Sequence, residues 1–242
     1  MSTLFISDLH LHPSRPAIIE CFLTFLKQQR GQAEALYILG DLFETWIGDD
    51  HPEPAYQPVK SALKAFSNAG TPAYLMHGNR DFLLSGQFAA ETGCSLLPDP
   101  TRIDLYGMAT VLMHGDSLCS DDKDYQRFRS TVRDPAWQRD ILGLPVAQRL
   151  QMARQALELS AHSKQGKDEG IMDANQDAIR RSAGENQADL LIHGHTHRPG
   201  IHTFRCNGRE ITRIVLGDWY ETGSVLAIDS QGWQLQTLSC DD

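Results

Sequence analysis

The first part of the chain alternates short apolar runs with segments of helical periodicity. Three apolar runs, each typical of a buried strand, stand at 4–6, 36–39 and 73–76. Between them, apolar residues spaced three or four apart predict helices over 14–30 and 58–69, each followed by a glycine. This alternation is the rhythm of a buried parallel sheet with helices on its faces, so we expect an α/β (α+β) fold.

The rest of the chain contains four further apolar runs that predict strands, at 110–113, 190–192, 211–216 and 224–228. Residues 121–170 interrupt this pattern, because their spacing predicts helices near 124–133 and over 145–162, joined by loops. We interpret 121–170 as a helical cap inserted into one core, which is formed by residues 1–120 and 171–242.

Composition places the chain among ordinary globular proteins. It has 242 residues, with 41% hydrophobic and 22% charged, which excludes wholesale disorder. Its 22 Lys and Arg against 31 Asp and Glu give a formal net charge of −9, so we expect no nucleic-acid partner. Residues 121–170 are the exception, because nine basic and eight acidic side chains give this segment a net charge of +1.

Cysteine usage and the apolar runs bear on the cellular compartment. Five widely spread cysteines with no CxxC pair predict neither a disulfide scaffold nor a thiolate zinc site. The first eight residues lack the basic region of a signal peptide, and no apolar run reaches the roughly 20 residues of a membrane span. We therefore expect a cytoplasmic protein, at most peripheral to a membrane.

Five short polar motifs each follow a strand-like run. They are Asp8-Leu9-His10, Gly40-Asp41, Gly78-Asn79-Arg80-Asp81, His114-Gly115-Asp116 and Gly194-His195-Thr196-His197. Loops beyond the carboxyl ends of strands in an α/β sheet converge on one crevice, so we expect these side chains to meet. His77 and His193 also follow apolar runs, but we expect them to be ordinary core residues.

The candidate metal ligands share oxygen or imidazole donors, and they are Asp8, His10, Asp41, Asn79, His114, His195 and His197. This donor set without thiolates suits manganese, iron or zinc rather than magnesium or calcium. Seven ligands are too many for one tetrahedral ion and suit two ions that share a carboxylate. Two metals about 3.5–4 Å apart acidify water and hold the oxygens of a phosphoryl group during in-line displacement.

The order of these motifs, DxH…GD…GN…H…GHxH, resembles the calcineurin-like metallophosphoesterases. The resemblance spans residues 8–197 and implies a β-sandwich flanked by helices, with two Mn²⁺ ions per chain or other divalent transition metals in their place. It assigns to the first ion Asp8, His10, Asp41 and His197. It assigns to the second ion Asp41 as the bridge, together with Asn79, His114 and His195.

Longer motifs are similar to one branch of this family. They read SDLHL, ILGDLFExWIGD, HGNRDFL, HGDSLCxDDxxY and IHGHTHRP. The resemblance implies a hydrolase, a pyrophosphatase of lipid A biosynthesis, that cleaves a UDP-linked diacylated glucosamine lipid by attack at the α-phosphorus. It further implies peripheral contact with the cytoplasmic face of the inner membrane, and we expect no obligate protein partner.

The same resemblance carries site residues onto this sequence. The catalytic set comprises Asp41, Asn79, Arg80 and His195. The substrate-binding set comprises Asn79, Arg80, Asp122, Ser160, Lys164, Lys167 and His195. From the residues alone, Asp122 could equally cap a helix, and the serine and two lysines could be a solvated helix end.

Arg80 stands where many relatives have a histidine after the GN pair. A histidine can protonate an alkoxide leaving group, whereas an arginine stays charged and instead holds phosphate oxygens. A phosphomonoester leaving group needs little protonation, so Arg80 favours pyrophosphate cleavage over simple phosphatase action. The alternative for Arg80 is a surface salt bridge with Asp81.

Three functions remain open from the sequence. The first is the hydrolase of a nucleotide-linked lipid, favoured by Arg80 and by the apolar, basic segment 121–170. The second is a dinuclear-metal phosphodiesterase acting on a soluble nucleotide. The third is a non-catalytic binding module, against which the complete set of seven ligands argues. The six arginines of the segment suit anionic head groups or, equally, a solvated helix face.

Overall fold

A computed structural model describes residues 1–164, 171 and 173–240. Its helices and strands, in chain order, are β1 (Thr3–Ile6), α1 (Pro16–Gln29), β2 (Ala35–Leu39), α2 (Gln57–Asn68), β3 (Ala73–Met76), α3 (Gly86–Thr92), β4 (Ser95–Leu97), β5 (Thr101–Leu105), β6 (Met108–Met113), α4 (Lys123–Val132), α5 (Pro135–Leu142), α6 (Val146–Lys164), α7 (Gln176–Glu185), β7 (Leu190–His193), β8 (Gly200–Cys206), β9 (Arg209–Val215), β10 (Gly223–Asp229) and β11 (Gly232–Leu238). Short 3-10 turns precede α2 and follow β6.

The strands form two mixed sheets. The first has the order β11-β10-β1-β2-β3-β4, in which β1 to β4 are parallel and β10 and β11 are antiparallel additions. The second has the order β5-β6-β7-β9-β8, with a parallel centre of β6, β7 and β9 between antiparallel edges. The expected β-sandwich flanked by helices is confirmed.

Three apolar clusters hold these layers together. Phe5 and Leu39 of the first sheet pack against Ile192 and Ile214 of the second, which closes the sandwich. A second cluster joins β1, β2 and β3 to α1, α2 and α3, and a third joins β6 and β7 to α7. Because β1, β2 and β3 are covered on both faces, they contain the continuous apolar runs that the sequence displays.

Several elements escaped the sequence-based prediction. The runs at 4–6, 36–39 and 73–76 are strands as expected, and α1 and α2 lie within two residues of their predicted bounds. Four strands that contain many polar residues or are very short were not predicted, namely β4, β5, β8 and β11. These four are edge strands with a partly solvated face, so polar residues interrupt their sequences and no continuous apolar run marks them.

The prediction from the cysteines needs correction. Cys21 of α1 and Cys240, just after β11, form a disulfide with a Cα–Cα distance of 5.2 Å. Spacing gave no sign of this pair, because 219 positions separate the two residues along the chain. Cys94 and Cys119 are buried and Cys206 is half-buried, and these three cysteines form no disulfide in the described part of the chain.

Within 121–170 the structure describes three helices, where two were predicted. The additional helix is α5, which begins after Asp134 as its N-cap and Pro135 at its first position. None of the described helices combines the length and the hydropathy that a membrane-spanning helix needs.

Candidate metal centre

The loops that follow five parallel strands bring the predicted ligands together at one edge of the sandwich. These loops leave β1, β2 and β3 of the first sheet and β6 and β7 of the second. Five of the seven candidate ligands have a positive φ angle, namely Asp8, His10, Asp41, His195 and His197. Such backbone conformations are unfavourable for residues with a side chain and concentrate at functional sites.

The first cluster consists of Asp8, His10 and His197. Nε2 of His197 lies 3.4 Å from Oδ1 of Asp8 and 3.4 Å from Nε2 of His10. The outer nitrogens of both rings contact carboxylates: Nδ1 of His10 is 2.9 Å from Glu44, and Nδ1 of His197 is 3.2 Å from Asp218. These contacts orient both rings so that their Nε2 atoms point at the same space.

The second cluster consists of Asn79, His114 and His195. Oδ1 of Asn79 lies 2.9 Å from Nε2 of His114 and 2.9 Å from Nδ1 of His195. Nδ1 of His114 is 2.9 Å from the carbonyl oxygen of Leu39, which holds the ring in place. Three donor atoms from three different strand ends therefore converge.

Asp41 lies between the two clusters. Its Oδ2 is 3.7 Å from Nε2 of His10 and 3.8 Å from Nε2 of His114, so one oxygen faces a ring from each cluster. Its Oδ1 accepts a 2.8 Å hydrogen bond from the backbone N–H of Arg80. The carboxylate is buried, with 1% of the residue exposed.

Two glycines allow the loops to approach this closely. A Cβ atom on Gly78 would lie 2.0 Å from Oδ1 of Asp41, and one on Gly194 would lie 2.2 Å from Oδ2 of Asp8. Either side chain would collide with a candidate ligand, so both positions require glycine.

The donor set fits divalent cations. Oδ1 of Asp8 is buried and accepts no well-directed hydrogen bond from a described residue. The donors of Asp8, His10 and His197 lie within 4.8 Å of one another, and so do those of Asp41, His114 and His195. These separations, the buried Oδ1 of Asp8 and the mixed donor chemistry together define two sites that could each hold a metal ion.

The pKa values of the histidines report the negative charge of the centre. Burial opposes a charged ring, yet Asp41 and Asp116 raise the pKa of His114 to about 9. Burial likewise opposes charge on His197, but its contacts with Asp218 and Asp8 raise the pKa to about 10. The centre therefore favours positive charge, which a metal ion would supply in place of these protons.

His195 behaves differently from these two rings. Burial, followed by repulsion from His114, lowers the pKa of His195 to about 3. Its ring is therefore neutral, which is the form that binds a metal ion.

The residues around Arg80 have distinct positions. Asp81 accepts backbone hydrogen bonds of 2.8 Å from both Gly78 and Leu42, which ties the loops after β3 and β2 together. It shows no ion pair with Arg80 among the described contacts, so the surface salt bridge considered above is not observed. Nε of Arg80 is buried with no hydrogen-bond partner among the described residues.

The two histidines expected to be core residues lie outside both clusters. Nε2 of His77 is 2.7 Å from the carbonyl oxygen of Leu84. His193 is fully buried, and its Nε2 accepts a 2.9 Å hydrogen bond from Arg213. Both rings support the loops that present the candidate ligands.

Arginines fix the helical segment over the second cluster. Arg129 of α4 contacts the buried carboxylates of Asp116 and Asp99 at 2.9 and 3.0 Å. Arg133 donates to the carbonyl oxygen of Gly78 at 2.9 Å, and Arg149 of α6 pairs with Asp50. Three of the six arginines within 121–170 therefore contact groups of the core.

The remaining substrate-binding candidates occupy this same segment. Asp122 is the N-cap of α4 and accepts a 3.0 Å hydrogen bond from the backbone of Tyr125. Ser160 lies on α6, half-buried, four residues before Lys164, the last residue of that helix. The side chain of Lys164 and the whole of Lys167 lie outside the described residues.

Sequence reasoning missed two residues of the centre, Glu44 and Asp218. Glu44 stands three positions after Asp41, inside a motif quoted above for its resemblance. Asp218 follows a glycine directly after an apolar run, like Asp41, so the same strand-end pattern could have identified it.

The comparisons with known proteins agree with this geometry. Residues 1–199 match the family of calcineurin-like phosphoesterases, and the chain belongs to that family. An archaeal phosphodiesterase of solved structure has the same fold, with a TM-score of 0.52 at 12% sequence identity, covering 98% of this chain and all of the other.

Two curated relatives are much more similar. A protein of Stenotrophomonas maltophilia (strain K279a) named UDP-2,3-diacylglucosamine hydrolase is 52% identical over 246 aligned positions, covering 99% of both chains. One of the same name from Xanthomonas axonopodis pv. citri is also 52% identical, covering 99% of this chain and 100% of its own.

Proposed function

We propose that this protein hydrolyses the pyrophosphate bond of UDP-2,3-diacylglucosamine, giving UMP and 2,3-diacylglucosamine 1-phosphate (lipid X) in lipid A biosynthesis. One observation carries the chemistry: a single buried oxygen of Asp41 lies within 3.8 Å of a histidine nitrogen from each cluster. The names of relatives that are 52% identical over almost the whole chain support the choice of substrate.

The proposal assigns one ion to Asp8, His10, Asp41 and His197. It assigns the second to Asp41, Asn79, His114 and His195. Two ions bound in this way would activate water and neutralise the phosphate oxygens during attack at the α-phosphorus. We take Mn²⁺ as the resident ion, since mixed oxygen and imidazole donors suit it.

Four residues form the proposed catalytic set: Asp41, Asn79, Arg80 and His195. Asp41 holds the two clusters at a fixed separation. Asn79 and His195, whose donor atoms lie 2.9 Å apart, would help to hold the second ion. The Arg80 guanidinium holds oxygens of the departing phosphate and lends positive charge as the bond to the α-phosphorus breaks.

The helical segment supports a lipid substrate. We propose residues 121–170 as a cap on a core of 1–120 and 171–242, with Asp122, Ser160, Lys164 and Lys167 contacting the sugar or its phosphate. Large apolar side chains of the cap face solvent, including Phe128 at 44%, Met152 at 41% and Leu159 at 70% exposure. They supply apolar surface for acyl chains and for peripheral contact with the cytoplasmic face of the inner membrane.

A comparison of two substrates tests this function. The Mn²⁺-loaded protein is incubated with UDP-2,3-diacylglucosamine or with bis-p-nitrophenyl phosphate, and the phosphate products are identified. We expect cleavage of the lipid to UMP and lipid X. If only bis-p-nitrophenyl phosphate were cleaved, the protein would instead be a phosphodiesterase of a soluble substrate.

A further inference from the structure

We propose that Arg15 and Tyr220 bind the nucleoside half of the substrate, on the side of the centre away from the helical segment. This inference rests on the proposed function, because it names where one end of that substrate lies. Neither residue belongs to the motifs singled out in the sequence. Both contact His10, a candidate ligand of the first ion.

Tyr220 and Arg15 form one wall beside the first cluster. The Tyr220 ring stacks on the His10 ring with 5.2 Å between centroids and 10° between planes. The guanidinium of Arg15 lies 4.7 Å from the centroid of the Tyr220 ring and donates to the carbonyl oxygen of His10. The wall therefore joins an aromatic surface to a cation at the rim of the centre.

This wall has an exposed aromatic ring and an Arg15 nitrogen without a hydrogen-bond partner among the described residues. Tyr220 is 45% exposed, although its ring is large and aromatic. Nη1 of Arg15 is buried behind this ring with no hydrogen-bond partner among the described residues, and Nη2 of Arg15 lies 3.8 Å from a carboxylate oxygen of Glu44. The carbonyl groups of uracil and the hydroxyls of ribose are acceptors for such donors, and the planar uracil ring offers a flat surface for contact with the exposed part of Tyr220.

The position of the helical segment fixes which substrate end this wall can meet. The Tyr125 ring of α4 lies 5.9 Å from the ring of His195, and Arg133 bonds to the loop that carries Asn79. The segment therefore covers the second cluster, whereas Tyr220 and Arg15 border the first. If the lipid half of the substrate lies under the segment, its nucleoside half lies on the other side of Asp41, next to this wall.

Equilibrium binding of the product tests the assignment. Calorimetry measures the affinity of the Mn²⁺-loaded protein for UMP and for methyl phosphate, which lacks the nucleoside, and elemental analysis gives the metal content of each sample. We expect the wild type to bind UMP at least about tenfold more tightly than methyl phosphate, because one or two additional hydrogen bonds to a charged group provide that gain in affinity. Tyr220→Ala and Arg15→Gln should reduce this preference to about threefold or less, with two metals retained.

Arg205→Gln is the matched control, because Arg205 is exposed on the edge strand β8. It should keep the UMP preference of the wild type. The proposal is wrong if the wild type shows no preference, if the variants keep it, or if the preference falls only together with metal content. Failure of the proposed function is distinct, because it appears as absent cleavage of the lipid substrate by the wild type.

Discussion

The metal centre and the helical segment above it are built in opposite ways. The centre is buried and assembled from strand ends, with Asp8 and His114 at 0% exposure and most ligands in unfavourable backbone conformations. The segment exposes large apolar side chains, and several of its arginines pair with carboxylates of the core. The difference agrees with the division of tasks that we propose, in which the centre performs the chemistry of the reaction and the segment selects the substrate.

Substitution of Asp41 tests the centre most severely. Asp41→Ala removes the oxygen that faces both clusters, so we expect less than about 1% of the wild-type rate at any metal concentration, with lower metal content. Rates on the lipid and on bis-p-nitrophenyl phosphate, with elemental analysis, provide the measurement. Glu20→Ala, an exposed change on α1, is the control. Retention of more than a few per cent of the rate would refute the shared ligand.

Arg80→Ala separates an effect on the chemical step from an effect on metal binding. Loss of one charged donor to the developing negative charge should lower kcat by about 100-fold. Both ions should remain bound, because the guanidinium of Arg80 contacts none of the seven candidate ligands in the described structure. Steady-state kinetics and elemental analysis check this outcome. Metal loss would instead make Arg80 a structural residue.

Arg129→Ala tests how the segment is fixed to the core. It leaves the buried carboxylates of Asp116 and Asp99 without their nearest cation, so we expect a loss of about 3 kcal/mol in the free energy of unfolding. Urea denaturation gives the value. Arg127→Ala is a control on the same helix, because the Arg127 side chain is 79% exposed and its ion pair among the described residues is with the equally exposed Asp124. If Arg129→Ala lowered the free energy of unfolding no more than Arg127→Ala does, the buried pairs would contribute nothing to stability.

Leu159→Ser probes substrate selection by the segment. Leu159 is 70% exposed, so we expect little change in stability but a rise in KM for the lipid of about fivefold, as the loss of roughly 1 kcal/mol of apolar contact implies. The rate on bis-p-nitrophenyl phosphate should stay constant. Ile201→Ser, 47% exposed on β8, is the matched control. A lipid KM that does not change would exclude Leu159 from acyl binding.

The sequence predicted that the seven candidate ligands would lie close together, and it predicted the fold class, but it missed several strands at the sheet edges. The ligands stand in short motifs at the ends of apolar runs, and parallel strands bring such ends together. The edge strands β8 and β11 lack this signal because solvent covers part of their surface. Contacts between distant segments, such as Tyr220 with His10 or Cys21 with Cys240, have no local pattern at all.

Hydrolysis of UDP-2,3-diacylglucosamine in ¹⁸O-labelled water tests the central claim most directly. The Mn²⁺-loaded protein is allowed to complete the reaction, and mass spectrometry locates the label in each product. Attack at the α-phosphorus predicts one ¹⁸O atom in UMP and none in 2,3-diacylglucosamine 1-phosphate. Label in the lipid phosphate, or no cleavage of the lipid, would contradict the account.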